Sequence, residues 1–333
     1  MSKIEIVNFQ QEYIDQIKPL LAQSTFMTMR YLAKELNDEL TFFWFNTITD
    51  LIREKGAQVF TALSNKEIMG MIVYMDNPWE TSVLGKKVSI LNYFVINQKS
   101  QQKGFIAKQL LAYVINYAAS HGDQLLVCKT YTDDITAIHA LEEQGFLLMD
   151  TVMDCYYDYR KIPLVELSRT SHRKDVMVRL GTKDDVEELV SVAHVSFQGH
   201  FGRYHADERV GKEKATRFYE EWIKSSAKGY ADWICVAETD GRIAGYSIWK
   251  KPSQLEMTLK VRVGHYSIAG IHPDYFGRGL FTTLTYEGMK LLDGLADIVE
   301  GPTHINNYGV QLGYSKLHWR ICSDARHSFH KWL

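Results

Sequence analysis

The period of the apolar positions changes repeatedly along this chain, and each change marks an element. VMVRLG, rich in β-branched and apolar residues, predicts a short strand. Thr182 stands three residues before Asp185, a helix-start signature in which each side chain bonds the other's backbone N–H. Val186, Leu189, Val190, Ala193 and Phe197 then follow at helical spacing. After the polar and aromatic stretch SFQGHFGRYHADE, RFYEEWIKSSAKG predicts a second helix, stopped by Gly229. WICVAETDGRIAGYSIWK predicts a hairpin turning at Asp240-Gly241. VRVGHYSIAGI predicts a long strand, Pro273 to Gly279 a turn-rich loop, and LFTTLTYEGMKLLDGL a helix. Strand DIVEGPTH, helix NYGVQLGYSKL and a last strand ending in HKWL complete the expected order.

The same order runs earlier in the chain. QQEYIDQIKPLLAQ predicts a first helix, QVFTALSNKEIMGMIVYM a hairpin, KKVSILNYFVI a long strand and GFIAKQLLAYVINYAASHG a helix opened by Gly104. Residue classes recur at nearly one offset. Ile4, Ile14 and Ile17 match Val176, Val186 and Leu189 at 172; Val59, Ala62 and Gly70 match Ile234, Ala237 and Gly245 at 175. Val88, Ile96 and Gly104 match Val263, Ile271 and Gly279 at 175; Asp134, Leu141 and Phe146 match Asn307, Tyr314 and Trp319 at 173. Four sets in order, drifting only between elements, indicate one unit used twice. The expected division is 1–160, a linker over 161–175, and 176–333.

Bulk properties narrow the function. The 333 residues suit two domains, and 46% apolar with 23% charged residues is ordinary for a globular chain. With 38 Lys+Arg against 40 Asp+Glu the net charge is −2, which gives no basic field for nucleic acid or an anionic membrane. Cys128, Cys155, Cys235 and Cys322 lie far apart, with no CxxC pair. Together with an N-terminus lacking a signal-peptide core, they suggest a cytoplasmic chain with buried thiols and no zinc site. His327-x-x-His330 places its rings on opposite faces of an extended segment, so no metal is expected there either.

The candidate chemistry lies after the long strand of the second copy. A Gly-containing loop, Tyr275-Phe276-Gly277-Arg278-Gly279-Leu280-Phe281, leads into a helix. Helix N-termini offer unpaired N–H groups, and glycines let backbone approach a pyrophosphate closely. The loop is neither a P-loop nor a dinucleotide fingerprint. With IHPDYFGRGLF, and Asn307 followed seven residues later by Tyr314 and then Trp319, the chain resembles the GNAT (Gcn5-related N-acetyltransferase) superfamily. The second copy departs from that signature at Phe276, Phe281 and His318. The first copy keeps Gln101, Gly104 and Gly145-Phe146 but carries Asp134 and Leu141 where Asn and Tyr are usual. SFQGHFGRYHADE, RFYEEWIKSSAKG and HSFHKWL are similar to the nucleotide-sugar amine acetyltransferases, such as the TDP-fucosamine acetyltransferase group.

The resemblance implies an α/β fold of two tandem GNAT-like domains, each a mixed, mostly antiparallel sheet flanked by helices. It implies acetyl-CoA as co-substrate and a small-molecule amine as acceptor, best matched by a nucleotide-linked amino sugar. The first domain is expected to be degenerate. Backbone at Ile271 would meet the pantetheine, and the N–H groups of Gly277, Arg278, Gly279, Leu280 and Phe281 the pyrophosphate. Tyr314 would serve as general acid, and Asn307 would bind the cofactor or cap its helix. His265, six residues before Ile271 and on the same face by alternation, is either a proton acceptor or an imidazole satisfied within the sheet. Arg203 and Tyr204 would pair with a phosphate and stack on a base, or lie in a solvated loop. Rival readings are acylation of another small amine, transfer of the mycothiol-synthase type, a peptidyl transferase using aminoacyl-tRNA, and an acyl-CoA-sensing module without turnover. The oligomeric state is left open.

Overall fold

The computed structural model describes residues 3–23, 28–54, 56–164, 176–239 and 241–333. Most of the expected linker, 165–175, and the hairpin residue Asp240 lie outside the described residues. The chain forms two compact units. One comprises Met1–Thr151 with Asp324–Leu333, the other Val152–Ser323.

The first unit carries the strands β1 (Glu5–Asn8), β2 (Gln58–Ser64), β3 (Glu67–Asp76), β4 (Val88–Ile96) and β5 (Leu125–Tyr131). Its sheet runs β1-β2-β3-β4-β5 and closes with the chain's last strand, β13 (Arg320–Trp332), whose residues Arg326–Trp332 pair antiparallel with β5. All neighbours are antiparallel except β4 and β5. The helices are α1 (Ile14–Leu21), α2 (Ala33–Glu54), α3 (Pro78–Leu84), α4 (Lys103–Ser120) and α5 (Ile135–Glu143). Ile106, Leu110, Leu111 and Val114 of α4 lie at helical spacing and pack with Phe60 and Ile72 of the sheet.

The second unit takes the end of β6 (Leu147–Asp158), then β7 (Met177–Leu180), β8 (Trp233–Thr239), β9 (Arg242–Lys250), β10 (Val263–Ile271), β11 (Ile298–Glu300) and β12 (Thr303–His304). Its sheet runs β6-β11-β10-β9-β8-β7, with β10 and β11 parallel and β12 also on β6. The helices are α6 (Val186–Phe197), α7 (Arg203–Ala206), α8 (Lys212–Ser225), α9 (Leu280–Leu292) and α10 (Tyr308–Lys316). The Thr182–Asp185 capping box forms as expected and opens a short turn before α6. Gly229, at φ 110°, ends the turn that follows α8. Helix α9 lies hard against β9: a Cβ on Gly288 would stand 1.9 Å from Cε2 of Trp249.

Strand register shows the duplication directly. Gly70 pairs with Ile96 and Gly245 with Ile271, both at the offset of 175. Val88 pairs with Leu125 and Val263 with Ile298, at 175 and 173. Both glycines serve the same purpose, since an added Cβ would meet the Cδ1 of Ile96 at 2.8 Å and of Ile271 at 2.6 Å.

The final strand departs from the linear division. It was expected to complete the second copy, yet it closes the sheet of the first, while Tyr156–Asp158 of β6 pair with β11 in the second. The ladder is made of backbone groups, so either terminal strand can saturate either edge, and the side-chain pattern does not tell them apart. Among the described residues no helix is long and apolar enough to cross a membrane.

Removing Asp324–Leu333 therefore strips β5 of its outer partner. Amide hydrogen exchange of such a chain should show lost protection at Leu125–Tyr131 and little change at Ile298–Glu300. The reverse pattern would restore the linear division.

Candidate active site

The site starts from an interrupted ladder. Strands β10 and β11 are hydrogen-bonded only over Val263–His265 and Ile298–Glu300, and then they part. Strand β10 continues to Ile271 with β9 alone. A bulge at Ser267 lies just past the parting point, between the pairs Tyr266/Trp249 and Ile268/Ile248. Bulges bend a strand and end local pairing, which is what opens one edge of β10 here. The carbonyl of Ile271 accepts from the Ser196 hydroxyl of α6 at 2.8 Å, so this expected pantetheine partner already has one protein bond.

Beyond Ile271, a turn at Pro273–Tyr275 leads to Phe276, Gly277, Arg278 and Gly279, all exposed. Gly277 and Gly279 have φ of 74° and 78°, a conformation that disfavours any side chain. A Cβ built on Gly277 meets nothing within 4 Å. The first helical bond of α9 runs from the Thr283 N–H to the Gly279 carbonyl, 3.1 Å, so the preceding N–H groups have no partner within the helix. Leu280 turns its side chain into the core, and Phe281 packs against Gly313 and Tyr314. Arg278 lies over the ring of Tyr275 at 5.0 Å.

Helix α10 brings Tyr314 to the same place. Its hydroxyl stands 2.6 Å from a Cβ built on Gly301, the first residue after β11. Its ring stacks on Trp319 at 4.3 Å and meets Phe281 edge-on at 5.6 Å. Burial holds its hydroxyl well above the ordinary phenol range, so it keeps its proton. Asn307 caps the helix, its side chain accepting from Val310 N–H at 3.4 Å, as Asp134 caps α5. His318 takes φ 58° where Gly145 takes 75° in the other copy, so the same helix ending is built there with a side chain in a left-handed position.

His265 does not fit the proton-acceptor reading. Its Nε2 meets Glu256 at 2.6 Å and its Nδ1 meets Glu300 at 3.1 Å. Burial lowers its pKa, but the two carboxylates outweigh that and push it up to about 10. An imidazole already protonated at neutral pH has no lone pair for an incoming proton. Nor does it share a face with Ile271. The extra residue at Ser267 leaves five rung steps from one to the other, an odd number, so they point to opposite sides of the sheet. Neither Glu256 nor Glu300 was expected, because sequence spacing does not show which residues oppose His265 across a loop and a parallel rung.

Arg203 and Tyr204 are brought together, but not as an open stacking platform. Tyr204 is buried and lies flat on Phe218 at 3.6 Å, and the Arg203 guanidinium lies 4.2 Å from the Tyr204 ring centre and donates to its hydroxyl. Base stacking on Tyr204 is therefore replaced by internal packing. The neighbouring His200, His205 and Tyr219 gather with ring centroids 5.4 to 6.0 Å apart.

The family model described as acetyltransferase (GNAT) matches residues 21–146, which lie in the first unit. The spore coat polysaccharide biosynthesis protein SpsD of Bacillus subtilis (strain 168) is 24% identical over 188 residues, covering 55% of this chain and 58% of that protein. The match thus spans less than two thirds of that relative. A tandem GNAT protein from the clavulanic acid biosynthesis pathway superposes with a TM-score of 0.58 at 12% identity, over 99% of this chain and 98% of that one. A GCN5-related N-acetyltransferase from Sphaerobacter thermophilus gives 0.64 at 12% identity, over 99% and 95%. At such identities these structures speak for the fold. Residues 21–146 thus match the GNAT family model, and both units share their fold with a tandem GNAT structure.

The His265 cluster sets a pH dependence that needs no ligand. A group whose folded-state pKa is raised stabilises fully below its unfolded pKa of about 6.5. That contribution is lost as pH rises through the folded value of about 10. Denaturant titrations of the protein should therefore show stability falling from neutral pH toward pH 10. His265→Gln should flatten that decline. An equal slope in the variant would mean that His265 is not held protonated.

Proposed function

We propose that the second unit transfers an acetyl group from acetyl-CoA to the amine of a small molecule, best matched by a nucleotide-linked amino sugar, and that the first unit is a non-catalytic copy. One observation carries this reading: β10 and β11 part beside an exposed Gly277–Gly279 loop, with Tyr314 at the point of parting. The residues fit the donor. Left-handed glycines free of neighbouring bulk at Gly277, and helix N–H groups ahead of Thr283, suit a pyrophosphate. The open edge of β10 suits a chain bearing amides.

Acetyl-CoA supplies an activated thioester, and the protein's part is to hold and protonate. The amine nitrogen forms a bond to the acetyl carbon, the carbon–sulfur bond breaks, and the thiolate takes up a proton as the amine gives one up. Tyr314 is the proton donor in this reading, since it keeps its proton across the neutral range. The pair Glu256 and Glu300 around His265 holds the sheet face on the acceptor side. The likeness to a spore coat polysaccharide biosynthesis protein supports a sugar acceptor. In the first unit Leu141 stands at the place of Tyr314, and no hydroxyl is available there.

Acetyl-CoA should raise the melting temperature of the protein, and free-thiol release should follow on adding an amino-sugar nucleotide; a shift without release on an amine panel would leave only a sensor. Tyr314→Phe should lower kcat by roughly 100-fold or more with little change in acetyl-CoA affinity. An unchanged rate removes it as general acid. Gly279→Val forces a branched side chain to φ 78° and should weaken acetyl-CoA binding, seen as a smaller thermal shift than that of the wild type.

A further inference from the structure

Tyr246 lies in the middle of β9, fully buried, and its hydroxyl has no hydrogen-bond partner among the described residues. Burying a hydroxyl unsatisfied is unfavourable, and phenylalanine would fill the same space without that cost. The Tyr246 ring, its Cε1 and Cζ as much as its hydroxyl, also demands a glycine across the ladder. Tyr246 pairs with Gly270, and a Cβ built on Gly270 would stand 2.8 Å from it. Gly270 lies on the stretch of β10 that β11 has left, on the face opposite α9.

The fold does not require this pair. At the same rung of the first unit, 175 residues earlier, Met71 pairs with Val95, an ordinary apolar contact. The change to Tyr and Gly therefore belongs to what the second unit does rather than to how it folds.

A second buried polar atom belongs to His205 of α7. It meets Thr216 through Nε2 at 3.4 Å, while its Nδ1 is buried without a partner among the described residues. Burial lowers its pKa, so the ring stays neutral at neutral pH and offers Nδ1 as a donor or acceptor according to tautomer. The ring of Tyr219 lies 5.8 Å from that of His205 and stacks on Phe197 at 3.9 Å, and Ser196, next to Phe197, donates to the carbonyl of Ile271, the residue after Gly270. Two orphaned polar atoms among flat rings, beside an opened strand, suit a ligand with apolar C–H faces and hydroxyl edges.

We infer that Tyr246 and His205 form an acceptor subsite that selects an amine on a hydroxylated ring, with the Tyr246 hydroxyl bonding a hydroxyl of that ring. This rests on the transferase reading above and deepens it. Tyr246→Phe gives a double signature that a packing role lacks. The unliganded variant should melt higher by about 2–4 °C, because an unsatisfied hydroxyl has gone. At the same time, the wild-type preference in kcat/KM for D-glucosamine over cyclohexylamine should shrink by roughly tenfold or more. The acetyl-CoA thermal shift should stay the same. An unchanged preference overturns the subsite, whatever the melting temperature, and a variant that melts lower assigns the hydroxyl to the fold. A wild type that shows no acetyl-CoA shift overturns the transferase reading instead. The subsite is then judged by calorimetric titration with D-glucosamine alone: weaker binding in Tyr246→Phe upholds it and equal binding overturns it.

Discussion

The parting of two parallel strands after three paired residues organises the second unit. Backbone N–H and C=O groups on a sheet edge inside a protein need partners, and a strand that loses its neighbour leaves a row of them. Here the row begins at the Ser267 bulge, with Gly301 turning away on the other side. Everything assigned to the site borders that gap. The glycine loop lies at its mouth, Tyr314 stands against Gly301, and Tyr246 lies over Gly270. The first unit parts in the same way, β4 and β5 being paired only from Val88 to Leu91, with Tyr93 in a left-handed conformation beyond. An opened edge is thus a property of the duplicated fold, and the chemistry depends on what lines it.

The two copies have divided along that line. The first keeps the helix cap at Asp134 and the glycine at Gly145, which serve folding, and fills the places of Tyr314 and Tyr246 with Leu141 and Met71. The second carries His318 at the place of Gly145 and, among the described residues, an unpartnered hydroxyl at Tyr246.

His265 shows how burial and partners combine. Burial by itself would favour a neutral ring, and two carboxylates reverse the outcome. The cluster anchors the β10–β11 rung where pairing ends, while at Tyr314 burial keeps the hydroxyl protonated.

The sequence alone determined the duplicated α/β order, the position of the glycine loop and the Asn307–Tyr314 helix. These rest on periodicity, turn chemistry and spacing within one element, all of which are local. Only the tertiary structure decided which unit receives the last strand, because backbone ladders accept either partner. It also decided the face of His265, because one bulged residue at Ser267 inverts an alternation that looks unbroken in the letters. The ring of Tyr204 reads as an exposed aromatic until Phe218 covers it, and Glu256 and Glu300 have no visible link to His265 until strands and loops meet. In each of these cases the deciding neighbour is distant along the chain or displaced by a single residue in register, and burial, charge state and exposure are properties of that neighbour.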